Sequence, residues 1–418
     1  MNFNLVRVGD VVSFQNGYAF KSKDFTQNGF FKIIKIKELK NGKIKFFSDS
    51  ARININDENI LNKYKVENGD ILFALTGDPI SKNNPLSWVG RISIYKNKDI
   101  ALLNQRVCRA IFSNKIDSKY FYYYFRVFEN FFSLASKATG SASQANISTK
   151  TIEESFIQLP PLETQKKIAS ILSALDDKIE LNNKINENLE MQAQAIFKSW
   201  FVDFEPFGGV MPEDWKILPL DEATSKFATG LNPRKNFILG YGENYYVTIK
   251  NMSNNEIILD DRCDKITDDA IIKINKRSDL QAKDVLFSGI GTIGRVYYID
   301  KTPTNWNISE SIFTIRANEL ISPEYLYLLM LSADMQDYAL SLASGSVQKG
   351  IRMADLKRYK TIIPTKALMN TFTSIVKPII EKTKENNHQN KNLAELRNTL
   401  LPKLMNGEID VDDVQVKE

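Results

Sequence analysis

What most limits how this chain can fold is that it is written twice. Gly69-Asp70-Ile71-Leu72-Phe73 returns as Lys283-Asp284-Val285-Leu286-Phe287, and Val89-Gly90-Arg91-Ile92 as Ile293-Gly294-Arg295-Val296. Lys119-Tyr120-Phe121-Tyr122 returns as Glu324-Tyr325-Leu326-Tyr327, and Ala138-Thr139-Gly140-Ser141 as Ala343-Ser344-Gly345-Ser346. Gln144, Ile147 and Pro160 match Gln348, Ile351 and Pro364, so the offset from Val107 onward is 204 to 205. An internal repeat means one supersecondary plan used more than once. Shared turn residues with divergent residues between them imply one scaffold serving two different ligands.

Each half divides again. The first 160 residues hold short β-type runs (Phe30 to Lys37, Asp70 to Leu75, Arg91 to Tyr95) separated by Asn41-Gly42 and Asn68-Gly69 turns. A helical pattern follows from Leu162 to about Phe201, and Glu205-Pro206-Phe207-Gly208-Gly209 interrupts it. A second mixed region reaches Pro364, a second helix runs from Lys366 to Met405, and Asn406-Gly407 stops it as a C-cap would. The expected fold is α+β: two repeated mixed recognition-type domains, 1–160 and 205–364, separated by two long helices, 161–204 and 365–406, that pair as an antiparallel coiled coil, with a tail over 407–418.

The helices carry the sharpest periodicity. Ile168, Leu172, Leu175, Ile179, Asn182, Asn186, Leu189, Ala193, Ile196 and Trp200 alternate spacings of four and three, the seam of a coiled coil. Their counterparts include Phe372, Val376, Asn386, Asn390, Leu393, Arg397, Leu400 and Leu404. Run antiparallel, Ile168 meets Leu404, Leu172 meets Leu400, Ile179 meets Leu393, Asn182 meets Asn390, Asn186 meets Asn386 and Trp200 meets Phe372. Seam asparagines cost stability unless paired, and fix register when they are. That pairing is preferred to each helix merely packing on its neighbouring domain. Arg397 falls opposite Leu175, with its stem over apolar surface and its head expected in water. Pro378 is expected to kink the second helix or start it anew. A rod from 168 to 200 spans about 50 Å at 1.5 Å per residue, and antiparallel pairing would set the mixed domains at its two ends.

Charge and motifs exclude much. The net charge of +5 permits nucleic-acid binding only through local clusters. Cys108 and Cys263 are too few and too far apart for a disulfide framework or metal spacing, which fits a reducing cytosol. No signal peptide and no membrane span of about 18 apolar residues is expected. His388 is the only histidine, read as a solvated helix position, which excludes histidine triads and histidine metal clusters. No Walker phosphate loop is present. Gly289-Ile-Gly291-Thr-Ile-Gly294 matches a dinucleotide fingerprint, yet a strand pattern, Arg295-Val-Tyr-Tyr-Ile299, follows where a helix should open, so tight turns are the better reading. Asn83-Asn-Pro-Leu86 only faintly resembles an amino-methyltransferase motif, and Asp70 and Asp284 read as structural turn residues.

The remaining polar clusters fit DNA. Lys21 and Lys23, with Lys32, follow Asn16-Gly17, while Arg234 and Lys235 follow Gly230. Arg91 and Arg295 follow matched glycines, and the loops holding Ser141, Gln144, Ser346, Gln348 and Lys349 are small, polar and amide-bearing. Lysine, arginine and hydroxyls suit phosphates, while bidentate Arg, Asn and Gln suit base edges. The lysines and arginines are expected at phosphates and the glutamines at bases.

Four segments carry a family resemblance: Gly17-Tyr-Ala-Phe-Lys-Ser-Lys-Asp-Phe25, Gly69-Asp-Ile-Leu-Phe73, Leu159-Pro-Pro-Leu-Glu-Thr-Gln-Lys-Lys-Ile168 and Leu400-Leu-Pro-Lys-Leu-Met-Asn-Gly-Glu-Ile409. The chain resembles the specificity subunits of type I restriction-modification enzymes over nearly its whole length. The resemblance implies a non-catalytic cytoplasmic DNA-binding subunit reading a bipartite, asymmetric target in double-stranded DNA. Its partners would be two methyltransferase (modification) subunits and restriction/translocase subunits, which would hold S-adenosylmethionine, ATP and Mg²⁺; this chain would carry no cofactor or metal. Lys366-Ala-Leu-Met departs from the Pro-Leu-Glu-Thr-Gln form, so partner contacts there are expected to differ. A specificity subunit of a methylation-only or type IIB-like system would read alike. A stand-alone enzyme and a purely structural coiled-coil linker fit less well.

Overall fold

The computed structural model describes residues 3–82, 84–253, 256–345 and 349–411. The chain forms two compact units, Met1–Glu180 with Asn390–Glu418, and Leu181–Gln389. Each therefore combines one mixed domain with half of each long helix.

In the first unit a six-stranded sheet has the order Val12–Asn16, Val107–Phe112, Ile71–Ala74, Ile92–Ile94, Lys43–Ile44, Leu39–Lys40. Beside it lies a four-stranded sheet, Arg52–Ile53, Phe31–Ile34, Ala101–Leu103, Lys65–Val66. Ile71–Ala74 is wholly buried because it separates two cores. Ile71 and Phe73 face the helices with Tyr120 and Phe121, whereas Leu72 and Ala74 face Ile34, Leu39 and Leu103. The period-2 alternation of a strand puts successive side chains on opposite faces, so a strand covered on both reads as a continuous apolar run. Asn41 and Gly42, with φ of +46° and +80°, make the two-residue hairpin between Leu39–Lys40 and Lys43–Ile44.

The second unit repeats the plan with fewer strands among the described residues. Its four-stranded sheet runs Thr224–Thr229, Ile312–Ala317, Val285–Ser288, Val296–Tyr298, and its three-stranded sheet Asp264–Ile266, Asn244–Val247, Trp306–Ile308. The repeat extends to hydrogen bonds. Asp70 accepts from Glu67 N at 2.9 Å and Arg109 at 3.3 Å; Asp284 accepts from Gln281 N at 2.9 Å and Arg316 at 2.7 Å. Tyr120 donates to Gln158 O at 2.6 Å, and Tyr325 to Ile362 O at 2.7 Å. Both repeated aspartates thus hold a turn and an arginine. The Gly289–Gly294 segment is a turn leading into the strand Val296–Tyr298; a Cβ on Gly289 would lie 2.3 Å from the Phe313 ring.

The two long helices span Leu162–Phe201 and Lys366–Met405. The second continues through Pro378 as one helix. It ends at Asn406-Gly407, where Gly407 takes φ +70°. In the first unit Ile168, Leu172 and Leu404 share one buried core, Leu400 packs on it, and Ile179 and Leu393 are half-buried. In the second unit Asn386 donates to Asn186 Oδ1 at 2.8 Å, Asn186 donates to Asn387 Oδ1 at 2.8 Å, and Asn182 donates to Gln389 Oε1 at 2.7 Å. Trp200 lies 5.7 Å from Phe372. Rising numbers on one helix meet falling numbers on the other, so the pairing is antiparallel. The buried stripe is wider than the seam: Ala169, Asp176, Phe197 and Phe201 are buried too, because each helix packs on its mixed domain as well as on the other helix.

Two expectations change. The Arg397 head is not in water; its guanidinium lies 2.5 Å from the Asp176 carboxylate, itself buried beside Tyr123 and Arg126. His388 is not simply solvated: its Nε2 lies 2.7 Å from Asp300 Oδ2. A buried carboxylate and a carboxylate at the domain surface supply what the helix periodicity could not show.

Candidate nucleic-acid interface

In the first unit, backbone hydrogen bonds gather four loops at one end of the large sheet. Gly17 N donates to Val107 O at 3.1 Å, Tyr18 N to Leu103 O at 2.8 Å and Gln105 N to Tyr18 O at 2.9 Å. Leu75 N donates to Arg106 O at 2.9 Å, and Ile147 N to Leu75 O at 3.0 Å. The close approach needs glycine, because a Cβ on Gly17 would lie 2.1 Å from Asn104 O. Lys21 and Lys23, on the turn Ser22–Asp24 that follows, are exposed. So are Ser141 and Gln144, on the hairpin Thr139–Ser141 with Gln144–Asn146, which pairs with Thr76–Gly77. The Ser141 hydroxyl is engaged inside its hairpin, accepting from Gln144 N at 3.3 Å and lying 3.0 Å from Ser143 Oγ. This leaves Gln144 as the hairpin's exposed amide side chain.

The second unit builds the same end. Gly289 N donates to Ser311 O at 2.9 Å, Ile351 N to Gly289 O at 2.8 Å and Gly291 N to Lys349 O at 2.7 Å. A Cβ on Gly230 would lie 1.6 Å from Ile308 O, so Gly230 repeats the role of Gly17. Arg234, Lys235 and Lys349 are exposed. Ser346 and Gln348 lie outside the described residues, as does Asn83.

Arg91 and Arg295, expected at phosphates, are placed differently. Arg91 donates to Leu86 O at 2.5 Å and Ile36 O at 3.3 Å; Arg295 donates to Ile249 O at 2.6 Å and Met252 O at 2.5 Å. Ile36 and Ile249 begin equivalent turns, so both arginines clamp the same carbonyl of the scaffold. The positive φ of Gly90 (+79°) and Gly294 (+91°) turns the chain so that the next side chain folds back over its own domain. Burial lowers the Arg91 pKa, with Asp78 opposing it.

Sequence reasoning missed residues at this end. Gln105 and Arg106 are exposed on the turn just before Val107–Phe112. The matching turn of the second unit carries Glu310, half-buried and held by Asn232 at 2.6 Å and Tyr246 OH at 3.0 Å. Their one sequence signal was position, immediately ahead of repeated strands. The two ends thus present different charge on matched turns.

A family model described as the type I restriction modification DNA specificity domain matches residues 1–191 and again 212–396. The chain belongs to this family. The type I restriction enzyme HindI specificity subunit of Haemophilus influenzae is 28% identical over 351 residues, 67% of this chain and 74% of that one. The MjaIX specificity subunit of Methanocaldococcus jannaschii is 27% identical over 338 residues, 78% of this chain and 76% of that one. The crystal structure of a type I restriction-modification S subunit from M. genitalium covers 96% of both chains with a TM-score of 0.59 at 16% identity, a likeness of fold. Within this specificity-subunit fold, no group of His, Cys, Asp and Glu among the described residues could hold a metal ion. No described helix is long and apolar enough to cross a membrane. Burial raises both thiols above their usual range, Cys263 to about 11.

Proposed function

We propose that this type I specificity subunit reads a bipartite, asymmetric DNA target through the matched loop ends of its two mixed domains. One observation carries the reading: the same scaffold end appears twice with different exposed chemistry. Lys21, Lys23, Gln105, Arg106 and Gln144 are exposed on one; Arg234, Lys235 and Lys349 are exposed on the other, where the half-buried Glu310 is held by Asn232 and Tyr246. Base edges in the major groove are told apart by such amide and guanidinium groups, while lysines hold phosphates. Two different readers imply two different half-sites.

The chain then positions catalytic subunits and catalyses nothing itself. Two methyltransferase subunits and restriction/translocase subunits would supply the chemistry and hold S-adenosylmethionine, ATP and Mg²⁺. The type I names of its relatives support this reading. Methylation mapping in a host carrying the assembled system tests it. Two unlike sequence blocks separated by a constant unread length support it; one continuous or palindromic block overturns it.

A further inference from the structure

Each unit carries a two-stranded ribbon whose outer face the fold leaves partly uncovered. In the first unit Asn4–Arg7 pairs antiparallel with Phe156–Leu159; in the second Lys216–Pro219 pairs with Lys360–Ile363. The two ribbons are equivalent in their bonding. Tyr120 donates to Gln158 O and Tyr325 to Ile362 O, while Val8 N donates to Ser155 O at 2.9 Å and Leu220 N to Tyr359 O at 2.8 Å. Register sets Leu5 opposite Gln158 and Ile217 opposite Ile362, so Leu5 and Ile217 are matched positions. Strand alternation turns Val6 and Leu218 toward the cores and Leu5 and Ile217 away from them.

Leu5 is 66% exposed and Ile217 51%. A single exposed apolar side chain needs no explanation, and other exposed ones here have no apolar copy: Phe128 matches Ala333, Leu181 matches Glu385 and Met191 matches Glu395. Among the described residues, Leu5 and Ile217 are the one pair of exposed large hydrophobic side chains at matched positions. Two residues along the same face, Arg7 lies opposite Phe156 and Lys360 opposite Pro219. The strands are exchanged, yet both faces set a cation beside an apolar side chain. Arg7 and Lys360 are exposed, and neither makes an ion pair among the described residues. The ribbons also lie away from the reading loops. Strand Val12–Asn16 starts just after the first ribbon and ends at Gly17, and Thr224–Thr229 runs likewise from the second ribbon to Gly230. At about 3.3 Å per residue these strands put roughly 13 to 17 Å between ribbon and loops.

We propose that each ribbon face docks one copy of the same protein partner, through an apolar side chain of the partner set beside a carboxylate. The reading ends differ between the halves and so take different ligands; a face that keeps its chemistry takes the same ligand twice. The apolar side chain of the partner covers Leu5 or Ile217, and its carboxylate pairs with Arg7 or Lys360. DNA held at the reading loops leaves the ribbons free for protein, because they sit at the other end of the same strands. On the reading above, which this assignment rests on, the partner is the modification subunit, needed in two copies.

The test co-expresses the full chain with the modification subunit of its own system and counts bound copies by native mass spectrometry. The parent should hold two. Leu5→Glu and Ile217→Glu should each weaken one copy about tenfold or more, leaving one bound, and the double variant should hold none. Exchanging the anchors, Leu5→Ile with Ile217→Leu, should keep two. Arg7→Glu should weaken the first-unit copy alone, and Lys360→Glu the second. Folding is checked within the substituted unit, by hydrogen exchange over Ser118–Tyr124 for Leu5→Glu and over Pro323–Leu331 for Ile217→Glu. Where exchange rises, Leu5→Thr and Ile217→Thr, which keep strand propensity, replace the glutamates with the same expectation. A folded double variant that still holds two copies overturns the proposal. So does a single variant that loses both copies, charge reversal at Arg7 and Lys360 without effect, or variants that lose duplex binding while keeping both copies. A parent that binds no modification subunit overturns the reading on which the assignment rests.

Discussion

The buried charge cluster of the first unit gives the most exacting test of how these helices hold together. Asp176 accepts from Tyr123 OH at 2.8 Å, Arg397 at 2.5 Å and Arg126 at 3.5 Å. The Asp176 side chain is 8% exposed and both arginine side chains are 16% exposed. Asp176→Asn keeps the shape and removes the charge, leaving two nearly buried cations without a counter-ion. Breaking a buried pair in this way costs about 3–5 kcal/mol. For a unit of some 200 residues that corresponds to roughly 6–20 °C, at about 2–4 °C per kcal/mol. The second unit carries Ile380, Leu331 and Ala193 at the positions matching Asp176, Arg126 and Arg397, and there they line one apolar contact. The triple variant Asp176→Ile, Arg126→Leu, Arg397→Ala should therefore recover most of the loss, since apolar replacement of a whole buried ion cluster is often neutral or better. Urea denaturation measures the stability, and hydrogen exchange over residues 118–135 places the loss in the first unit. Burial pushes the Asp176 carboxyl up, but Arg126, Arg397 and Tyr123 outweigh it and leave its pKa below the usual value. A depressed carboxylate stabilises above its unfolded pKa of about 3.9 and loses that contribution as pH falls through the folded value. The parent's advantage over Asp176→Asn should accordingly shrink below about pH 4. An Asp176→Asn variant within about 1 kcal/mol of the parent, as for an exposed pair, or a triple variant weaker than the single one, would refute the reasoning.

Other outcomes follow from the same geometry. Burial lowers the Lys384 pKa from 10.5 to about 8, against the pull of Asp300, Glu190 and Glu256. The folded state binds its proton less tightly, so parent stability relative to Lys384→Met should rise with pH between about 8 and 10.4; thermal melts across that window check the sign. Gly17→Ala and Gly230→Ala each drive a Cβ into a backbone carbonyl and should cost about 1–3 kcal/mol or more by overpacking, read by denaturation and by loss of DNA binding. Gln144→Ala should relax specificity at one base position for about 1–3 kcal/mol, whereas Lys21→Ala and Lys23→Ala should weaken all sequences alike and flatten the salt slope by about one each. Methylation mapping and salt-dependent binding of the assembled complex separate the two patterns.

The sequence alone determined the plan of this protein: two copies of one mixed scaffold and two long helices. Turn glycines, alternating apolar runs and a seam repeat are local signals, and a chain cannot satisfy them in another arrangement without burying polar groups or exposing apolar ones. The antiparallel match of Asn186 with Asn386 was legible for the same reason, because a buried amide requires its partner. Contacts between residues far apart in the chain were decided by tertiary structure. Arg91 and Arg295 looked like phosphate binders, yet the glycine ahead of each turns it onto carbonyls 43 to 55 residues away. Gln105, Arg106 and Glu310 looked unremarkable until strand pairing brought their turns beside the hairpin and the glycine loop. Phe128 and Phe132 lie on one short helix beside Trp88, and only packing shows that both stay exposed there. Periodicity reports which residues share a side of an element; what that side meets depends on the rest of the fold.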